Sequence, residues 1–309
     1  MVSVKKKFFK RFFIGTFMIF VLLAVFSFAL AKSVYDSRYP RFDYVYPPDN
    51  SESCEMLSFE SDGNTLMGYL YNRGGENGLV VVAPGLASGA NEYSSQIEYL
   101  TESGLAVFAY DPTGSYYSEG ESSVGFLQSI IDLNSALDYI EEKNNFGSSD
   151  IFLFGHSCGG YAVCAALSYD HDISAAVSVA GVNSAMEAVT SPVKARIGAL
   201  AYSGYIQLYI YQSALFGTEL VNLSAVESIN GSDTAVMIVH GTDDETIPFD
   251  YGSIISHCDE IDNPLVEYKV CGEDGMDGHT NLLFDGMTTR EINEELMRQI
   301  SEFFREHRG

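Results

Sequence analysis

Hydrophobic residues fall into two patterns along this chain. One is an unbroken apolar run over residues 12–31 with no charged residue, long enough at about 1.5 Å per residue to cross a bilayer as a helix. The other is a series of short apolar runs at 78–83, 105–110, 151–154, 175–180, 235–239 and 265–270. These alternate with helical stretches near 92–103, 125–142, 159–167, 251–258 and 290–305. Strands buried on both faces read as continuous apolar runs, and their alternation with helices implies right-handed crossovers and a mainly parallel sheet. The predicted class is α/β, doubly wound. Two strand-like segments at 56–60 and 66–71 flank the turn signal Asp62-Gly63-Asn64 and predict an opening hairpin.

The rhythm breaks once. Between 181 and 233 there is far more chain than a single crossover helix needs, and the middle of it, 194–216, is apolar and rich in tyrosine. This predicts a helical insertion at about 182–232 that acts as a cap and packs on something apolar. Residues 32–54 contain Tyr39-Pro40 and Pro47-Pro48 without apolar periodicity, which reads as a linker. The expected organisation is therefore a membrane segment over 1–31, a linker over 32–54 and a globular domain over 55–309.

Charge separates these parts further. The formal net charge is −25, yet all residues up to Ala31 carry five basic groups (Lys5, Lys6, Lys7, Lys10, Arg11) and no acid. Such a flank on an apolar run suits a signal-anchor or a signal peptide, and the Lys/Arg side is expected to stay in the cytoplasm. The small-residue pattern Ala29-Leu30-Ala31 supports cleavage before Lys32, whereas the length of the run supports a retained anchor. Membrane contact is thus expected through residues 12–31, with the domain outside the cytoplasm, or secreted if cleaved. The acidic remainder would repel phosphate backbones, so nucleic acid is excluded as a partner. Five cysteines (Cys54, Cys158, Cys164, Cys258, Cys271) without C-x-x-C spacing signal no zinc site. If one disulfide forms, Cys258 with Cys271 is the first pairing to consider.

The chemistry gathers around Gly155-His156-Ser157-Cys158-Gly159, a G-x-S-x-G pattern that directly follows the apolar run at 151–154 and opens a helical stretch. That is the setting of a nucleophile elbow, where side chains two residues either side of the serine would clash in a sharp strand-to-helix turn. A serine hydroxyl needs a base, itself oriented by a carboxylate, and in this setting the chain order is Ser, acid, His. Of the six histidines, His279 lies in the glycine-containing loop 272–281 after the last predicted strand. His156, His171, His240, His257 and His307 belong to other elements or to the tail. For the acid, the run at 235–239 ends in His240-Gly241-Thr242-Asp243-Asp244-Glu245, and Asp243, Asp244 and Glu245 are all open by chemistry alone.

Several of these motifs together resemble the α/β-hydrolase superfamily, in particular its small esterases and serine-peptidase-like members, over about residues 55–304. The segment His240-Gly241-Thr242-Asp243-Asp244-Glu245-Thr246-Ile247-Pro248 is similar to the family's H-G-x-x-D-x-x-V/I-P, whose Asp is the triad acid; the resemblance assigns that role to Asp244. Asp111-Pro112-Thr113-Gly114-Ser115-Tyr116-Tyr117-Ser118-Glu119-Gly120 is similar to the family's D-x-x-G-x-G-x-S-x-G loop, with Tyr117 as a departure, and Gly278-His279 matches its terminal G-H. The resemblance implies an α/β-hydrolase fold with a Ser157, His279 and Asp244 triad. It also implies an oxyanion hole from the backbone amides of Cys158 and Leu86, the latter because Pro84-Gly85-Leu86 resembles the family's H-G-x with Pro84 in place of His. The expected activity is hydrolysis of a carboxylic ester or related acyl compound, with a small-molecule acyl substrate and no cofactor or metal. A peptidase or aminopeptidase-like hydrolase, and a catalytically silent binding domain on the same fold, are the alternatives.

Overall fold

The computed structural model describes residues 2–39, 54–143, 146, 150–272, 275–285 and 291–309. Helix α1 (Val2–Tyr35) contains the apolar stretch, which among the described residues is long and apolar enough to cross a membrane from Lys5 to Ala29. The helix thus runs past the expected boundary at 31. The next few residues do not leave the domain as a free linker. Tyr39 pairs with Ser115 as an isolated bridge, and Arg38 donates to the carbonyl of Ser118 at 3.0 Å. Residues 40–53 of the expected linker lie outside the described residues.

Strands β1 (Cys54–Ser61) and β2 (Asn64–Tyr71) form the predicted hairpin. Its turn residues Asp62 and Gly63 have φ of 45° and 79°, as a two-residue turn that matches strand twist requires. Then follow β3 (Leu79–Ala83), α2 (Ser94–Glu102), β4 (Ala106–Tyr110), α3 (Gln128–Lys143), β5 (Ile151–His156), α4 (Cys158–Ala165) and β6 (Ile173–Val179). The chain continues through α5 (Ala185–Ile197), α6 (Tyr205–Asn222), α7 (Ala225–Asn230), β7 (Ala235–Gly241) and β8 (Val266–Cys271). It ends with the short strands β9 (Phe284–Asp285) and β10 (Glu291–Ile292) and helix α8 (Glu294–Glu306).

The eight-stranded sheet has the order β1-β2-β4-β3-β5-β6-β7-β8, with β1, β2 and β4 paired antiparallel and all later pairs parallel. The residues of β3, β4 and β5 are buried throughout, as their unbroken apolar runs require. One core lies between the sheet and α3, α4 and α7, and the other between the sheet and α2 and α8. Helix α8 shows how the pattern works. Asn293 caps it by accepting from the Leu296 amide, and Leu296, Met297, Ile300, Phe303 and Phe304 form one buried face, with Phe304 stacked on Phe152 of β5 at 4.8 Å.

The chain leaves β3 towards β4 on one side and returns to β5 on the other. Crevices at the carboxyl ends of strands flanking such a reversal are where doubly wound folds place ligands. The loops after β3 and β5 are those carrying Leu86 and Ser157.

Three expectations are corrected. The 251–258 stretch forms a 3-10 helix at Ile254–Glu260, since Gly252 at φ 84° interrupts an α-helical start. The strand at 265–270 is a sheet edge with no fully buried residue, touching one core at Val266 and the other at Cys271. Cys258 and Cys271 form no disulfide. Cys258 sits before the start of β8 and Cys271 at its far end, so the strand of about 3.3 Å per residue holds them apart.

Candidate active site

Steric crowding at the end of β5 places Ser157. Its φ of 57° and ψ of −115° put the residue in a left-handed conformation between strand and helix, with its amide donating to the Val179 carbonyl at 2.8 Å. A methyl group on Gly155 would lie 2.1 Å from the Gly159 carbonyl oxygen, and one on Gly159 would lie 1.9 Å from that of Ala83. Both clashes are with backbone, which cannot swing away, so both positions require glycine. Helix α4 begins at Cys158 and directs its first amides towards the serine.

The three side chains singled out in the sequence come together across 122 and 35 positions of chain. Ser157 Oγ lies 2.8 Å from His279 Nε2, and His279 Nδ1 lies 2.8 Å from Asp244 Oδ2. The His279 loop reaches this place by crossing the end of β7. A methyl group on Gly241 would lie 2.0 Å from the Asp277 carbonyl oxygen, and the Asp243 amide donates to that same carbonyl at 2.9 Å. The glycine after His240 therefore lets the loop pass.

Burial separates the three acids left open by chemistry. Asp243 and Glu245 are exposed, whereas the Asp244 side chain is fully buried. Its Oδ1 accepts from the amides of Thr246 at 2.8 Å and Ile247 at 2.7 Å. Burial alone would raise the Asp244 pKa. Hydrogen bonds from His240 and His279 outweigh it and hold the carboxyl well below the usual range, so it stays ionised. His240, read from the sequence as belonging to another element, is a further member of the site. It is fully buried, its Nε2 lies 2.9 Å from the Ile247 carbonyl oxygen and 3.3 Å from Asp244 Oδ2, and its Nδ1 meets no partner among the described residues. That arrangement requires the proton on Nε2, which donates to the Ile247 carbonyl with the Asp244 carboxylate close beside it.

A second chain of hydrogen bonds, not foreseen from the sequence, ties the loops together. The Gly85 amide donates to Tyr93 Oη at 3.0 Å, Tyr93 Oη lies 3.0 Å from His156 Nδ1, and His156 Nε2 lies 2.9 Å from the His279 carbonyl oxygen. Because Tyr93 accepts from Gly85, its own proton goes to His156 Nδ1, and the imidazole donates from Nε2 to the His279 loop. One buried ring thus holds the loop after β3, the serine turn and the His279 loop in register. Burial, helped by the nearby His279, pushes the His156 pKa down to about 3.

This predicts an acid-sensitive fold. The folded pKa lies below the ordinary 6.5, so the unfolded chain binds the extra proton first. The stability contributed by neutral His156 is complete above pH 6.5 and is lost as pH falls towards 3. Between pH 6 and 4 the unfolding free energy of the wild type should fall more steeply than that of His156→Gln, by about 1.4 kcal/mol per pH unit. Denaturant titrations followed by circular dichroism at stepped pH measure this, and parallel slopes would contradict it.

Beside the serine lies the loop after β3. A methyl group on Gly85 would lie 3.4 Å from Ser157 Cβ, so Leu86 follows immediately at the edge of the site. The Gly85 amide is engaged by Tyr93. The thiols of Cys158 and Cys164 are buried and each is pushed up to about 12 by burial, as unreactive core side chains are. The insertion after β6 consists of α5, a 3-10 segment at Gly198–Gly204, α6 and α7. Of these, α7 packs on α4 as the crossover helix, leaving α5 and α6 as the added part. Phe216 of α6 packs over Gly125, next to Phe126, whose carbonyl accepts from the Cys158 thiol at 3.5 Å.

Comparison with known proteins gives a consistent picture. The family described as "Serine aminopeptidase, S33" matches residues 74–230. A polyketide transferase, grgF of a Penicillium species, is 28% identical over 122 residues, covering 38% of this chain and 42% of that protein. The uncharacterized protein YfhR of Salmonella typhimurium is 26% identical over 240 residues, covering 75% of this chain and 78% of that protein. Among solved structures, the Pyrococcus furiosus esterase Pf2001 superposes with a TM-score of 0.67 at 18% identity, covering 89% of this chain and 99% of that one.

Proposed function

The chain belongs to the serine aminopeptidase S33 family of α/β hydrolases, and from that premise we propose that it is a membrane-anchored serine hydrolase of carboxylic esters. The observation that carries this reading is the continuous hydrogen-bonded series Ser157, His279, Asp244 on a glycine-crowded elbow, at 2.8 Å for each link.

In the proposed reaction, Asp244 accepts from His279 Nδ1–H, which leaves the Nε2 lone pair facing the serine hydroxyl. Ser157 Oγ bonds to the ester carbonyl carbon as its proton passes to His279 Nε2. The resulting oxyanion is met by the amide of Cys158 at the start of α4 and by that of Leu86, since the Gly85 amide is already committed to Tyr93. Collapse expels the alcohol, which takes the proton from His279, and leaves an acyl-enzyme. Water then gives its proton to His279 as it attacks, releasing the acid and restoring the Ser157 hydroxyl. Phe216, half-buried over Gly125 near the elbow, favours an apolar acyl group. The basic cluster before the uncharged run 12–31 supports a catalytic domain on the side of the membrane away from the cytoplasm.

The family's description favours a second reading, an aminopeptidase using the same residues. Initial rates of the full-length protein in detergent on a short p-nitrophenyl ester and on an aminoacyl p-nitroanilide separate the two. The ester is expected to turn over and the anilide to remain at background. Faster cleavage of the anilide would reverse the assignment, and no turnover of either would point to a silent binding domain.

A further inference from the structure

The apolar middle of the insertion packs partly on the membrane helix itself. Helix α1 lies against α6 and the 3-10 segment before it. Phe28, at the carboxyl end of the apolar stretch Lys5–Ala29, meets Tyr211 edge to face at 5.1 Å, and Gly204 leaves room for Ser27. The uncharged run of α1, residues 12–31, is 20 residues and about 30 Å long as a helix, the thickness of a hydrocarbon core. Contacts at Ser27 and Phe28 therefore hold α6 at the level where α1 leaves the bilayer.

Next to that contact, α6 shows an uncovered apolar face. Ile206 and Ile210 are 62% and 57% exposed, one helical turn apart, with Tyr202 and Tyr205 exposed next to them in the chain. In a chain with 42 acidic residues and a net charge of −25, residues 197–218 contain no Asp, Glu, Lys or Arg. A solvated surface of this protein would be expected to carry acids, whereas an uncharged helix with exposed isoleucines beside a membrane span is suited to meeting lipid.

We infer that α6 lies in the surface of the bilayer spanned by α1, so that the insertion docks on lipid and the hydrolase takes acyl esters that reside in that membrane. The inference rests on reading α1 as a span and deepens the proposed esterase function. Docking orients the catalytic domain on the membrane and brings α6 near the serine turn, since Phe216 packs over Gly125 and the neighbouring Phe126 carbonyl accepts from the Cys158 thiol. An amphiphilic ester could then pass its acyl chain from the bilayer along the apolar side of α6 without entering water.

The protein contains no tryptophan, so a single introduced Trp reports its own surroundings. Full-length Ile210→Trp and Ile206→Trp are compared in phosphatidylcholine proteoliposomes with and without dibrominated acyl chains. The control is Tyr169→Trp, in the turn between α4 and β6 and so at the opposite end of the strands from Ser157. A residue sunk among acyl chains should be quenched by about twofold or more, while the control stays unquenched. Emission of Ile210→Trp that matches the control would overturn the inference. So would blue-shifted emission without bromine quenching, since that would mean a protein surface or a second copy covers α6. A separate arm uses the double variant Ile206→Asp with Ile210→Asp. It should lose about tenfold in rate on a long-chain ester carried in the vesicles while hydrolysing a water-soluble short ester at the wild-type rate. Equal rates on both esters would remove the substrate claim. If the wild type hydrolyses neither ester, the esterase reading fails while the quenching still decides the docking.

Discussion

Replacing Asp244 by Asn is expected to lower kcat by about four orders of magnitude while leaving the fold intact. The amide oxygen of Asn can still accept from Thr246 and Ile247 as Oδ1 does now, so the turn keeps its shape. The negative charge facing His279 Nδ1 is lost, and an amide nitrogen turned towards the ring would favour the wrong tautomer and oppose the imidazolium formed during attack. The neighbouring Asp243 is exposed and offers its backbone amide, not its side chain, to the His279 loop. Asp243→Asn should therefore cost less than about tenfold. Steady-state kcat for both variants, with circular dichroism as the check on folding, decides between the acids. A large loss at Asp243 with little change at Asp244 would reverse the assignment.

The other large effect is expected at Ser157. Ser157→Ala removes the nucleophile and should reduce kcat by about six orders of magnitude, the scale seen when such a serine is deleted from a working triad. Stability should be almost unchanged. Ser157 already has a φ of 57°, which alanine adopts no less readily than serine, and its amide bond to Val179 needs no side chain. A variant that melts well below the wild type, or one that keeps more than a small fraction of the rate, would show that the residue holds the elbow together without being the attacking group.

The difference between these two sites reflects what a sequence can display. The strands of the sheet were legible because burial on both faces leaves uninterrupted apolar runs, and the hairpin because Asp62-Gly63 supplies the positive φ values its turn needs. The elbow was legible for a similar local reason, since Gly155 and Gly159 are fixed by clashes with backbone of about 2 Å. His279 could be singled out by its place after the last strand, but Asp244 could be separated from Asp243 and Glu245 only by resemblance to a family motif. Burial, which distinguishes them physically, is a property of the folded turn. His240 and the Tyr93–His156 link stayed hidden because their meaning depends on partners brought close by folding. His156, for example, meets the His279 carbonyl across 123 residues. The expected Cys258–Cys271 pairing failed for the converse reason, since proximity in sequence is undone by the extended strand that runs between them. The tyrosine-rich insertion was legible as a helical addition, whereas its packing on α1 required the tertiary structure.

Activation of Ser157 can be read with a fluorophosphonate probe, which forms a stable adduct only with a serine whose hydroxyl is deprotonated by a neighbouring base. Full-length protein in detergent is treated with the probe, and intact mass and peptide mapping locate the adduct. A single adduct on Ser157 is expected, suppressed by a competing short ester and absent from Ser157→Ala. Folded wild-type protein that takes no label, or an adduct on any other residue, would contradict that activation.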